Sequence, residues 1–107
     1  MLTVTLTHTK DKYKLEMTGH CATAPKGEDL VCAGASALTM AFANVLMQNK
    51  DKLKKEPLIE TEEGNAKFVW SPLKSYEAAL NNSLYTVMVG LQMIQYDNPD
   101  SIQFIKK

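Results

Sequence analysis

The chain has 107 residues, with 12 Lys and Arg against 12 Asp and Glu and a formal net charge of zero. This length supports one hydrophobic core and is too short for two, so residues 1–107 are predicted to form a single domain. The balanced charge and a sequence pI of about 6.7 exclude a protein that is basic overall, and no direct nucleic-acid partner is expected.

The sequence also predicts a chain without a secretory or membrane segment. No apolar signal core lies at the N-terminus, and the longest apolar region, Leu30 to Met47, is interrupted by serine, threonine and asparagine. Two cysteines in such a chain are expected to be reduced thiols, so we expect a soluble, cytoplasmic protein that does not contact membranes.

The first half of the chain predicts two strands followed by a helix. Apolar residues alternate with polar ones over Leu2–Thr7 and again over Lys12–Met17, which is the period of half-buried strands. The polar residues Thr9–Asp11 between them predict a hairpin. From Leu30 to about Asn49 the apolar residues recur three or four positions apart, as they do on one face of a helix.

The second half repeats this order and adds a last strand. Strands are predicted over Leu58–Glu62 and Ala66–Trp70 and are joined near Gly64, which can adopt positive φ in a tight turn. A second helix is predicted from about Ser75 to Asn98, and a short strand over Ile102–Ile105. The order ββαββαβ predicts an α+β fold with two helices packed on an antiparallel or mixed sheet.

The residues between the second strand and the first helix are the candidates for chemistry. Cys32 falls in the first turn of the predicted helix, where the backbone dipole favours the thiolate, the nucleophilic form. His20 is the candidate base. Asp29 is a candidate cap for the helix, although its charge acts against a thiolate. Ser36 lies one turn after Cys32 and could bond the substrate, a catalytic side chain or the Cys32 carbonyl.

Two other uses of the cysteines are weaker. A disulfide between Cys21 and Cys32 is disfavoured by the reducing compartment, and ten intervening residues match no common redox motif. A zinc site would need His8 and His20 with both cysteines, and their spacing matches no standard zinc pattern. No dinucleotide or phosphate-binding fingerprint occurs, so neither a metal nor a cofactor is expected.

Three short motifs resemble the ribosomal-processing cysteine protease family of Firmicutes and related bacteria. These motifs are Gly19-His20, Gly27-x-Asp29-x-Val31-Cys32-Ala33 and Ser36-Ala37-Leu38-Thr39. The resemblance implies a catalytic dyad of His20 and Cys32, with Gly19, Gly27, Asp29 and Ser36 as supporting or substrate-binding residues. The chain departs from the family pattern at Cys21, where a small residue such as alanine is expected, and at Gly34, which disfavours the helix.

The resemblance also implies a substrate and an assembly state. The expected activity is an endopeptidase that removes the short N-terminal extension of large-subunit ribosomal protein twenty-seven through a thioester acyl-enzyme, and the expected partner is a second copy of the chain. The alternative is a non-enzymatic binding module associated with the ribosome or its assembly. A thiol-dependent amidase or acyltransferase acting on a small molecule would use the same residues.

Overall fold

The computed structural model describes residues 1–19, 30–62 and 64–106. These ranges contain two α-helices, a five-stranded sheet and two short 3-10 turns. In chain order, the elements are β1 (Leu2–Thr9), β2 (Lys12–Gly19), α1 (Leu30–Gln48), a 3-10 turn (Lys50–Lys52), β3 (Leu58–Glu62), β4 (Asn65–Trp70), a second 3-10 turn (Lys74–Tyr76), α2 (Glu77–Asp97) and β5 (Ile102–Lys106). The predicted order ββαββαβ and the α+β class are confirmed.

The five strands form one sheet in the order β3-β4-β2-β1-β5. Neighbouring strands are antiparallel from β3 to β1, with Leu15 of β2 opposite Leu6 of β1. Strand β5 pairs with β1 in parallel, with Ile102 opposite Leu2. The sheet is therefore mixed, because the chain crosses over through α2 before it joins the edge beside β1.

One face of the sheet is covered by both helices and forms the core. The inward residues of the three central strands include Val4, Leu15 and Phe68, which are fully buried. Phe42 of α1 packs against Phe68 and against the edge of Trp70, with ring centroids 6.5 and 5.0 Å away. The alternating strand pattern in the sequence therefore corresponds to one apolar face under the helices and one polar face opposite.

Two contacts fix the direction of α1 across the sheet. The Thr39 hydroxyl lies 3.1 Å from the Met17 sulfur, and Phe42 contacts Phe68, which is paired with Leu15. From Thr39 to Phe42 the residue number increases along α1, while the neighbouring positions on β2 decrease from Met17 to Leu15. Helix α1 therefore runs antiparallel to β2, and its N-terminus points toward the end of the sheet at which β2 ends.

The helices approach closely because each has a glycine opposite an aliphatic side chain of the other. A β-carbon on Gly90 of α2 would lie 2.8 Å from a methyl carbon of Leu38, and one on Gly34 of α1 would lie 3.3 Å from the Ile94 Cδ1 atom. These two contacts explain why both helices contain glycine despite its low helix propensity.

Helix α1 is unusually apolar. Its mean hydropathy of 1.8 and its 19 residues would be sufficient to cross a membrane by length and composition alone. In this fold its inward face, which includes Phe42 and Leu46, is buried against the sheet. Core helices meet the same criterion, so α1 carries no membrane assignment.

Candidate active site

Cys32 is the third residue of α1 and lies in its first turn. Leu30, the first described residue of the helix, is 85% exposed. The amide N–H groups of a first turn have no partners within the helix and point toward its N-terminal end. The Cys32 side chain is half-buried and packs against the core cluster, so its thiol lies at the boundary between the core and solvent.

Gly19 is the last residue of β2, at the end of the sheet toward which the start of α1 points. From Thr39 back to Cys32 is seven residues of helix, or about 10 Å, whereas from Met17 to Gly19 is two residues of strand, or about 7 Å. Because α1 and β2 are antiparallel and meet at Thr39 and Met17, the start of α1, which includes Cys32, extends toward the end of β2. The residue that follows Gly19 in the chain is His20.

The conformation of Gly19 is fixed by two backbone neighbours. Its φ is +93°, its N–H donates to the Gly64 carbonyl at 2.9 Å, and a β-carbon would lie 2.5 Å from the Met1 carbonyl oxygen. Only glycine fits such a position without strain. The end of β2 therefore requires glycine at position 19.

Of the predicted site residues, the structure describes Gly19, Cys32 and Ser36. Gly19 ends β2, and Cys32 lies near the start of α1, which points toward the same end of the sheet. Ser36 is exposed one turn further along α1. The predicted base His20, the predicted cap Asp29, Gly27 and Cys21 lie outside the described residues. No group of three or more metal-ligating side chains occurs within residues 1–19, 30–62 and 64–106.

The C-terminal end of α2 also lies at this end of the sheet, which the sequence did not predict. The Gln95 side-chain amide donates to the Ile102 carbonyl at 2.8 Å, and the Leu2 N–H donates to the Ser101 carbonyl at 2.8 Å. Ser101 is buried, and its hydroxyl donates to the Asn98 carbonyl. The only sequence sign of this arrangement is Gly34, a glycine placed where a helix disfavours it and where α2 approaches.

Together, the fold and the placement of Cys32 define a class of protein. An α+β domain that presents a thiol in the first turn of a helix, at the edge of a sheet, has the arrangement of a cysteine-dependent hydrolase. The family model for cysteine protease Prp matches residues 1–103 of the chain. The chain therefore belongs to the Prp cysteine protease family and is a cysteine protease.

Relatives from two bacteria support this assignment. The ribosomal processing cysteine protease Prp of Bacillus subtilis is 28% identical over 105 residues, which cover 94% of this chain and 91% of the relative. Two crystal structures of the essential ribosomal processing protease Prp of S. aureus are 26% identical and match over the full length of both chains. One contains a covalently linked product peptide and has a TM-score of 0.75, and the other contains a substrate peptide and has a TM-score of 0.71.

A third structure supports the fold alone. SMU.848 from Streptococcus mutans is 18% identical, with a TM-score of 0.67 over the whole of this chain and 96% of the other. The mixed sheet with two helices on one face is therefore retained where little sequence identity remains.

Proposed function

We propose that this protease removes the short N-terminal extension of large-subunit ribosomal protein twenty-seven, and that His20 and Cys32 are its catalytic dyad. The observation that carries the proposal is the antiparallel packing of α1 on β2. This packing directs the start of α1, which includes Cys32, toward the end of the strand that Gly19 terminates, and His20 is the next residue in the sequence. The relatives whose names specify ribosomal processing support the substrate class.

The proposed reaction is acyl transfer in two stages. His20 accepts the proton of the Cys32 thiol, and the sulfur attacks the scissile carbonyl carbon. As the carbon–nitrogen bond breaks, His20 returns the proton to the leaving amine and a thioester remains. Water then gives a proton to His20 while its oxygen attacks the thioester, and the carbon–sulfur bond breaks to release the second product. The sulfur regains its proton, and the chemistry needs no metal or cofactor.

The remaining predicted residues have supporting roles in this proposal. First-turn amides of α1, including that of Cys32, are candidates to stabilise the oxyanion, because their N–H groups are not used within the helix. Asp29 would cap this turn. Ser36, exposed one turn after Cys32, would bond the substrate, and Gly27 would allow the intervening chain to fold over it.

We also propose that the active form is a homodimer formed through the helix layer. From Leu30 to Gln48, and again from Ala78 to Tyr96, the sequence of both helices contains no charged residue. Large side chains nevertheless face solvent there, namely Met40 (47% exposed), Met47 (46%), Tyr85 (71%), Met93 (66%) and Tyr96 (87%). Such a surface favours a second copy of the same chain over water. The proposal places the enzyme in the cytoplasm and includes no nucleic-acid contact.

The test of function is cleavage of the ribosomal protein twenty-seven precursor from the same organism, read by mass spectrometry. We expect one cut near the N-terminus for the wild-type protein and none for Cys32→Ala or His20→Ala, with both variants folded by circular dichroism. Cleavage by either variant at close to the wild-type rate would exclude His20 and Cys32 as the catalytic dyad. An uncut precursor, together with rapid iodoacetamide alkylation of Cys32, would keep the nucleophile and reject this substrate.

A further inference from the structure

Gly34 lies two residues after Cys32 and faces Ile94 of α2. A β-carbon there would lie 3.3 Å from the Ile94 Cδ1 atom, which is closer than carbon atoms normally pack. The other close approach, between Gly90 and Leu38, is four residues further along α1, or about 6 Å from Gly34. Glycine disfavours the helix at this position, so the close packing offers a reason for its presence.

Ile94 belongs to a part of α2 that is held firmly to the sheet edge. The next residue, Gln95, donates to the Ile102 carbonyl at 2.8 Å. The Asn98 N–H donates to the Ile94 carbonyl at 2.9 Å, and the Ser101 N–H donates to the Asn98 carbonyl at 2.9 Å. Since the Leu2 N–H donates to the Ser101 carbonyl, this end of α2 is tied to both β1 and β5.

The first turn of α1 is held less firmly. Leu30 and Ala33 are exposed, Val31 and Cys32 are half-buried, and the first fully buried side chain of the helix is that of Ala35. A turn whose side chains are partly or largely exposed moves more easily than one within the core. Of the two elements that meet at Gly34, α2 is therefore the fixed one and the first turn of α1 is the one that would shift.

Gly34 and Cys32 lie on nearly opposite sides of α1. Two residues correspond to about 200° around the helix axis, so a side chain that pushes on Gly34 from α2 displaces the first turn in the direction in which Cys32 points. Nucleophilic attack depends on sub-ångström placement of the reacting atoms, because productive geometry requires near contact and alignment. A small change at the Gly34–Ile94 contact is therefore transmitted to the thiol.

We propose that Ile94, packed against Gly34, is a positioning residue that sets the location of Cys32 relative to the end of β2. The pair touches neither substrate nor the reacting atoms and acts through the backbone of α1. This inference rests on the proposed role of Cys32 as the nucleophile.

The test compares Gly34→Ala, Ile94→Val and the double variant, in the full-length protein, on a peptide spanning the junction of the ribosomal protein twenty-seven precursor. For Gly34→Ala we expect kcat to fall about five-fold while KM stays within about two-fold, because geometry and not binding is disturbed. Valine lacks the Cδ1 atom, so Ile94→Val in the Gly34→Ala background should restore kcat to within about two-fold of the wild-type value. A normal kcat for Gly34→Ala, or no recovery in the double variant, would overturn the proposal.

Gly90→Ala is the matched control, because it adds the same methyl group between the same helices further from Cys32. We expect a lower Tm for this variant with kcat within about two-fold of wild type. An equal loss of kcat would mean general destabilisation and would also overturn the proposal. Should Gly34→Ala not fold, Ile94→Ala removes the contact without adding volume, and an unchanged kcat in that variant would reject the positioning role.

Two further measurements separate this inference from the proposed function. Cleavage retained by Cys32→Ala would show that the proposed nucleophile is wrong. If wild type does not cut the peptide, the rate of iodoacetamide alkylation of Cys32 replaces kcat as the readout. Gly34→Ala should then alter that rate, Ile94→Val should restore it in the double variant, and equal rates in all variants would contradict the positioning role.

Discussion

The backbone of Gly19 passes so close to Met1 that a β-carbon on Gly19 would lie 2.5 Å from the Met1 carbonyl oxygen. No carbon atom tolerates an oxygen at that distance, and the neighbour is backbone, which cannot rotate away as a side chain can. The φ of +93° at Gly19 adds a second obstacle to any other residue. The close packing between the start of β1 and the end of β2 therefore requires glycine at position 19, directly before the proposed base in the sequence.

We expect Gly19→Ala to lose about 2 kcal/mol of unfolding free energy, from backbone strain and displacement of Met1. Since the following residue is His20, kcat/KM should fall by more than ten-fold, a larger loss than the folded fraction explains. Urea denaturation and peptide cleavage on the same samples measure both quantities.

Gly64→Ala provides the comparison for Gly19→Ala, because Gly64 also has positive φ, at +79°, in the turn between β3 and β4, and alanine keeps the carbonyl that accepts from the Gly19 N–H. It should lose about 1 kcal/mol and keep its activity once folded. Equal activity losses in the two variants would contradict a specific role for Gly19.

Much of the fold could be predicted because burial follows the sequence period. Strand β3 has the predicted bounds, Leu58–Glu62, between Pro57 and Gly64, and α2 ends at Asp97, directly before Asn98, where the sequence predicts its end. Strands β1 and β2 extend two residues further than predicted at their C-terminal ends, His8–Thr9 and Thr18–Gly19. These ends contain no apolar residue and so carry no hydrophobic period, and the pattern could not define them.

Contacts between residues distant in sequence could not be predicted. The parallel pairing of Leu2 with Ile102 depends on how α2 crosses the sheet, and no local pattern records it. Thr39 is buried although it is polar, because its hydroxyl donates to the Ala35 carbonyl at 2.8 Å and lies against Met17. At the site, the sequence predicted Cys32 near the start of the first helix, and α1 includes it. The close packing at Gly34 became evident only from its contact with Ile94.

The contact between Gly90 and Leu38 predicts an overpacked variant. A methyl group on Gly90 would meet both Leu38 methyl carbons, at 2.8 and 2.9 Å, and overpacking costs about 1–3 kcal/mol. Alanine gains about 1 kcal/mol of helix propensity over glycine, so we expect a net loss of about 1 kcal/mol in urea denaturation. Adding Leu38→Val, which shortens the opposing side chain, should recover part of this loss, and a Gly90→Ala variant more stable than wild type would contradict the packing.

The exposed apolar surface of the helix layer predicts the mass in solution. Sedimentation equilibrium should give about twice the chain mass of 11.9 kDa. The double variant Met93→Glu/Tyr96→Glu should weaken association by about thirty-fold or more, because it buries unpaired charge in the interface. Thr9→Glu, at the exposed end of β1, is the control and should stay dimeric. A wild-type protein that is monomeric at tens of micromolar would exclude the dimer.

A polar group at the opposite end of β2 from Cys32 predicts a pH dependence of stability. The Tyr13 hydroxyl donates to the Glu77 carboxylate at 2.5 Å and accepts from the Asn81 amide at 3.3 Å. Burial, and then the hydrogen bond to Glu77, raises the pKa of Tyr13 above its ordinary value of 10.0. The folded state therefore holds the phenol proton more tightly than the unfolded chain does.

A pKa raised on folding contributes stability that is complete below pH 10 and is lost as pH rises through the folded-state value. At pH 8, Tyr13→Phe should be less stable than wild type by about 1–2 kcal/mol, because it lacks both hydrogen bonds. Above pH 10 that difference should shrink, since wild type must then keep protonated a phenol that the unfolded chain ionises. Unfolding free energies are measured from pH 8 to 11 for both proteins. Their difference removes the contribution of the other titrating groups, which both proteins share. Tyr85→Phe, at a residue that is 71% exposed, should show no such trend, and a constant difference between wild type and Tyr13→Phe across the range would contradict the assignment.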